Sequence, residues 1–260
     1  MTRARPFAVL VAFLALASAG GTQAAPAEQD IVLDVRVTLD AYRAAVDARL
    51  EGIARAVRLF AATDEARSGE WSRIRGPLAV LDATLPERAA VWFTTADGTL
   101  FTVERGSTGE TLRDREYFPS LLEGRDVVGA LVISKSTGKR SVIVASPVIS
   151  DGKVTGSIGV SLDAVKLAAA IDQSIRFPPE VVFYVLDSHG RTALHRAGEL
   201  IFVFPSDVGS PTLGTAVKTM LAQPEGVVHY QYAGSDKTAV FERSRLTGWV
   251  FVLGTSHPQN

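Results

Sequence analysis

The spacing of apolar residues changes once along this chain, and the change divides it. Leu39, Tyr42, Val46, Leu50, Ile53, Val57 and Phe60 recur at steps of three and four, which lines one face of a helix. Residues 30–66 contain no proline and are interrupted only by Gly52, so a single long helix is expected there. From Ala89 the period falls to two. "AAVWFTTADGTLFTVERG" reads as two strands joined at Ala96-Asp97-Gly98, a hairpin signal. "VVGALVIS", "RSVIVASPVIS" and "KVTGSIGVSL" read as three more strands, turning at 135–138 and at Asp151-Gly152. The helical stripe has two ways to be covered. It packs on the chain's own core, the expectation here, or it forms a dimer seam through Leu39, Val46 and Ile53, because its spacing is almost heptad-like.

The scheme then repeats. "RSGEWSRIRGPLAVLDATLPER" supplies a turn and a shorter helix before the first strands, and "DAVKLAAAIDQSI" returns to helix after them. The prolines of "RFPPE" mark a boundary. Beyond it, "VVFYVLD", "SHG" and "RTALH" make a second hairpin. A helix at "GTAVKTMLAQ" precedes "GVVHYQYAG", "KTAVFERSR" and "GWVFVLGT". Each block opens with a hairpin and closes with three antiparallel strands, so the fold class is α+β. The halves share a plan and not a sequence.

Composition narrows the function. The 260 residues are 47% hydrophobic with a formal charge of −1, which suits a globular chain with a sizeable core and offers no concentrated basic face for nucleic acid. Cysteine is absent, which excludes disulfides, thiolate catalysis and cysteine metal sites. Arg3 and Arg5, an apolar run over 7–19 and the small residues Ala25-Pro26-Ala27 have the layout of a secretory signal, with cleavage expected after Ala27. The run is short for a bilayer span, though an uncleaved anchor is the alternative. A periplasmic or secreted location follows.

Catalytic patterns are missing. His189 and His195, with Asp187, flank a hairpin turn but lack a zinc spacing. "GSTGET" and "SKSTGKRS" lack the P-loop order, and no G-x-S-x-G elbow occurs. No enzyme, metal or cofactor is expected, and an exported enzyme using His189 or His195 is the weakest of three hypotheses.

One segment concentrates charge and aromatics: "RDREYFPSLLEG", residues 113–124. Pro119 suits the first turn of a helix, and a residue before proline favours extended geometry. "RDREYF" is therefore expected to be an extended arm leading into a short helix that ends at Gly124. Alternation along such an arm puts Arg113, Arg115 and Tyr117 on one face, a plausible carboxylate site. The competing reading pairs both arginines with Asp114, Glu116 or other surface carboxylates, which contributes only about 0–1 kcal/mol.

"LRDREYFPSLLEG", "SKSTGKRSVIVASPVISDGKVTGSIGVSLDAVKL" and "KTAVFERSRLTGWVFVL" together resemble the extracytoplasmic double Cache sensor domain. The resemblance runs from about Asp30 to Thr255. It implies a long N-terminal helix (28–69) carrying two stacked PAS-like modules. These are a membrane-distal ligand-binding module (70–168), a linker (169–180) and a smaller, mainly structural proximal module (181–257). Amino-acid-sensing members place an arginine, any residue and two aromatics on the pocket wall, which singles out Arg115, Tyr117 and Phe118. Members often carry a charged pocket residue on the last distal strand. Matching the glycines of "GSIGVSLDAVKL" puts Ser161 there, with Asp163 two residues on. Serine neutralises neither an ammonium nor a carboxylate, so the resemblance implies a small monocarboxylate or other polar metabolite. A slip of two residues would make Asp163 the pocket acid and restore an amino acid. Trp92, Phe101, Ser134 and Ser146 are further wall candidates, each equally compatible with ordinary core or turn.

The family passes its signal to a kinase, cyclase or chemotaxis domain, and none follows residue 260 here, so a separate membrane signalling partner is implied. The leading expectation is thus an exported, non-enzymatic ligand-binding sensor. The alternative is a structural or partner-binding periplasmic module that dimerises through the long helix.

Overall fold

A computed structural model describes residues 34–178 and 181–258. The expected signal sequence at 1–27 lies outside the described residues. Among those described, no helix is long and apolar enough to cross a membrane.

Helix α1 spans Val35–Ala61 and is capped by Asp34, whose carboxylate accepts the Arg36 N–H at 2.7 Å. It ends short of the expected 69. The Thr63 hydroxyl accepts the Ala66 N–H and, with Asp64 and Glu65 behind it, starts a separate turn, α2 (Asp64–Arg67). Leu39, Tyr42, Val46, Leu50, Ile53 and Val57 are each no more than 2% exposed, in a core that α1 shares with both sheets. A dimer seam through Leu39, Val46 and Ile53 is therefore ruled out, because the chain's own core already covers them. Tyr42 shows the coupling: it packs edge-on against Phe177, Phe183 and Phe251 at 5.3–5.5 Å.

After α3 (Trp71–Thr84) the chain forms β1 (Arg88–Thr95), β2 (Thr99–Thr102), β3 (Gly106–Thr111), α4 (Phe118–Leu122), β4 (Val127–Ile133), β5 (Arg140–Ser150), β6 (Lys153–Asp163) and α5 (Ala164–Ile175). The six strands make one antiparallel sheet in the order β3-β2-β1-β6-β5-β4. Strand β3 arises from the glycine-containing "GSTGET", which alternation did not signal. The second block runs β7 (Val181–Leu186), β8 (Thr192–His195), a 3-10 turn at Gly198–Leu200, α6 (Pro205–Val208), α7 (Pro211–Ala222), β9 (Glu225–Tyr232), β10 (Ser235–Arg243) and β11 (Val250–Pro258). Its antiparallel order is β8-β7-β11-β10-β9.

The first sheet is buried on both faces. Phe93, Val142, Val144, Ile158 and Val160 join the core beneath α1, while Trp92, Ile143 and Ala145 pack with Tyr117, Phe118 and Leu121 on the other side. Continuous burial at 90–94, 141–146 and 156–163 follows from this sandwiching.

Strand β4 is an edge, with unpaired carbonyls at every second residue. Three side chains take them. Trp249 Nε1 donates to the Gly129 carbonyl at 3.1 Å, Arg191 Nη2 to Leu131 at 3.0 Å and Arg115 Nη2 to Ile133 at 2.7 Å. Gly129, at φ +93° on a bulge, is required for this approach: a Cβ there would lie 3.1–3.2 Å from Thr247 and Trp249. Two of the three donors come from the second module, so the edge of one sheet becomes the seam to the other.

Candidate ligand site

The arm 113–117 is not extended. The Arg115 N–H donates to the Leu112 carbonyl and the Phe118 N–H to the Arg115 carbonyl, so the chain advances by consecutive turns into α4. Alternation consequently fails. Arg113 points away, exposed, and lies over the β1–β2 turn, where a Cβ on Gly98 would meet its Cγ at 2.6 Å. Tyr117 and Phe118 are both buried rather than on opposite faces. Phe118 opens α4 inside the apolar cluster and does not line the hollow described next.

Arg115, Tyr117, Trp92, Ser134 and Ser161 do converge, around a hollow of about 20 Å³. That volume suits about one water molecule. Trp92 is what fills the space. Its indole lies on Gly159, its cross-strand partner, where a Cβ would come within 2.2 Å of the ring, and its N–H donates to Ser161 Oγ at 3.2 Å. Ser134 sits at the β4–β5 turn, 3.3 Å from the Ser136 hydroxyl.

The other three sequence candidates belong elsewhere. Asp163 caps α5, its Oδ1 accepting from the Val165 and Lys166 N–H groups and its Oδ2 lying 3.1 Å from Lys139 Nζ, so it is not the pocket acid. Phe101 pairs with Phe93 across the hairpin and stacks on Trp71 at 5.4 Å, on the α1 side of the sheet. Ser146 pairs with Ile158 of the α1 core, on the face opposite Ile143.

Arg115 is half-buried, and besides its bond to Ile133 its Nε–H is enclosed with no acceptor among the described residues. It also lines a neighbouring cleft of about 610 Å³, bounded by β4 and the Asp187–Arg191 loop. In that loop the Asp187 carboxylate accepts the His189 and Arg191 N–H groups and pairs with Arg191 Nε at 3.2 Å. The "DSHGR" cluster thus aims Arg191 at the edge of β4.

Sequence reasoning missed Lys135, a second cation in the wall, whose Nζ donates to the Thr111 carbonyl at 2.6 Å and to Asp114 at 2.7 Å. That hydrogen bond holds the Asp114 carboxyl below its usual range. Burial pushes the Tyr117 phenol up, against the pull of Arg115. Leu100 was legible in principle: a hairpin pairing Thr94 with Leu100 sets Leu100, not Phe101, on the Trp92 face. Leu112, Val132, Ser136 and Ile143 complete the wall without a sequence signal.

The family model described as Cache domain matches residues 24–259. This chain belongs to the Cache domain family. Solved structures agree on the Cache fold at low identity. The ligand-binding domain of the Pseudomonas aeruginosa PAO1 amino acid chemoreceptor PctB, in complex with L-Arg, superposes with a TM-score of 0.69 at 16% identity, covering 85% of this chain and 93% of that one. The ligand-binding domain of the Pseudomonas fluorescens chemoreceptor CtaA, in complex with L-serine, gives 0.67 at 12% identity over 85% and 95%. The P. aeruginosa PctC domain in complex with GABA gives 0.62 at 18% over 85% and 97%. A search of curated protein sequences finds no significant match.

The second module has a cleft of its own, of about 320 Å³, between its sheet and the helices α6 and α7.

Proposed function

We propose that this Cache chain is an exported, non-enzymatic sensor module that holds a small organic monoanion, a short carboxylate, in its first, distal module. Arg115 carries the reading: its buried Nε–H has no acceptor among the described residues. An unmade buried donor costs about 1–3 kcal/mol, more if charged, and a carboxylate meets a guanidinium edge with two parallel acceptors. The wall has two cations, Arg115 and Lys135, and no Asp or Glu. An α-amino acid would bring an ammonium with no carboxylate in the wall to receive it. Ser161 accepts from Trp92, and its own O–H is left to donate. The ligand enters from the cleft, shifting the Tyr117 ring and drawing Arg115 from the Ile133 carbonyl.

The test is a thermal-shift and calorimetric series with acetate, propionate, lactate and pyruvate. At least one should stabilise the protein, and Arg115→Ala should weaken it at least ~tenfold, the equivalent of one charge-assisted hydrogen bond. Stabilisation that persists when Arg115, Tyr117 and Ser161 are all replaced by Ala would remove the proposal.

A further inference from the structure

We infer that the second module carries its own ligand site, separate from Arg115, for an uncharged planar guest: an aromatic ring bearing one carbonyl group. Its cleft of about 320 Å³ falls within the size range of small-molecule sites, about 300–1,000 Å³, and shares no lining residue with the distal hollow or with the cleft beside β4. Val182, Val203, Val208 and Leu213 give it an apolar wall, and Tyr184, His195, Tyr230 and Tyr232 bring four rings to it. Tyr184 and His195 lie stacked, 6.4 Å apart at 26°. Such rings favour a flat apolar body.

Neither cation in this wall is left for a guest. Arg196 holds Asp172 through two hydrogen bonds, at 3.0 and 3.1 Å, and Lys237 has an interaction of its own. Burial lowers the affinity of the His195 imidazole for a second proton, so it stays uncharged. Among the described residues, no Asp or Glu lines the cleft. A carboxylate would therefore enter without a free cation and an ammonium without a carboxylate, and an unpaired charge is costly to take out of water. What the wall does offer is neutral donors. Tyr230 is 5% exposed, and its oxygen accepts the Tyr184 O–H at 3.3 Å, while its own hydrogen has no acceptor among the described residues. His195 Nδ1 accepts the Ala197 N–H at 2.8 Å, which leaves the ring proton on Nε2. A carbonyl oxygen on the guest supplies the acceptor that a buried hydroxyl lacks.

Calorimetric titration of acetophenone into the full chain at neutral pH, with benzoate as its charged counterpart, tests this. Acetophenone should bind at one site, and Tyr230→Phe should weaken it ~tenfold through one lost hydrogen bond. Val208→Trp should abolish binding: the position is 55% exposed, so the indole fills the mouth while circular dichroism reports an intact fold. Benzoate should bind at least ~tenfold more weakly, because its charge meets no counterpart. Arg115→Ala should leave the acetophenone titration as it is. Absence of acetophenone binding, equal or greater affinity for benzoate, or binding lost in Arg115→Ala and intact in both second-module variants would each overturn the inference. The short-carboxylate series reads the distal site and acetophenone the second module, so either proposal can fail alone.

Discussion

The two modules are built on one plan, an antiparallel sheet with helices laid on it, yet their interiors differ. In the first, an indole fills the space between sheet and helix, and a hollow of about 20 Å³ survives beside two cations. In the second, tyrosines and a histidine line about 320 Å³. Five strands follow the same order in both sheets, so in this chain the difference lies in which side chains occupy the inner face. Trp92 needs Gly159 beneath it, and that pair closes the first module.

The comparison can be broken first at what the modules share. Leu50 is fully buried on α1, so Leu50→Ala should cost about 2–5 kcal/mol. Because α1 packs on both sheets, urea denaturation should still show one transition. Two separable transitions would mean the modules fold apart, and the shared core would lose its significance.

A smaller effect, confined to one module, comes from Gly159→Ala. The added methyl has no room under the Trp92 ring, and overpacking of this kind costs about 1–3 kcal/mol. The indole should shift, altering the near-ultraviolet circular dichroism. An unchanged spectrum and unchanged stability would show that Trp92 does not lie where the hollow requires it.

The smallest effect sharpens the second module. Burial lowers the pKa of His195 from its ordinary 6.5. The unfolded chain then binds a proton that the folded chain resists, so this contribution is complete above pH 6.5 and declines as pH falls through the window below it. The thermal midpoint should therefore fall less between pH 7 and pH 5 in His195→Gln than in the wild type. Identical pH profiles would show that the imidazole is not held neutral by its surroundings.

Periodicity disclosed the long helix, both hairpins and both meanders, because these depend on neighbours a few residues away. It could not disclose the end of α1, where a single threonine hydroxyl at Thr63 outweighs the continuing pattern. The wrong faces given to Phe101 and Ser146 have one cause. In a sheet covered on both sides every residue is apolar or small, and only cross-strand register tells the faces apart. The turned conformation of 113–117 was hidden for a different reason: it is held by carbonyls at Leu112 and Arg115, and backbone bonds leave no trace in residue type. Arg115, Tyr117 and Ser161 nevertheless came together, because the family likeness carried long-range information that periodicity lacks, while of the four candidates offered on strand alternation only Trp92 and Ser134 joined them. The second-module cavity had no signal at all, since a void is what packing leaves over.

The chain has three tryptophans, and each indole N–H reports one place: Trp71 stacked on Phe101, Trp92 on the distal hollow, Trp249 on the seam to β4. A nitrogen-15 spectrum of tryptophan-labelled protein, recorded while a short carboxylate that stabilises it is titrated, tests the role of Arg115 directly. The Trp92 indole signal should move with saturation in the wild type and need at least ~tenfold more ligand to move in Arg115→Ala. A ligand that binds while the Trp92 signal stays still, or that moves it equally in Arg115→Ala, would contradict the account.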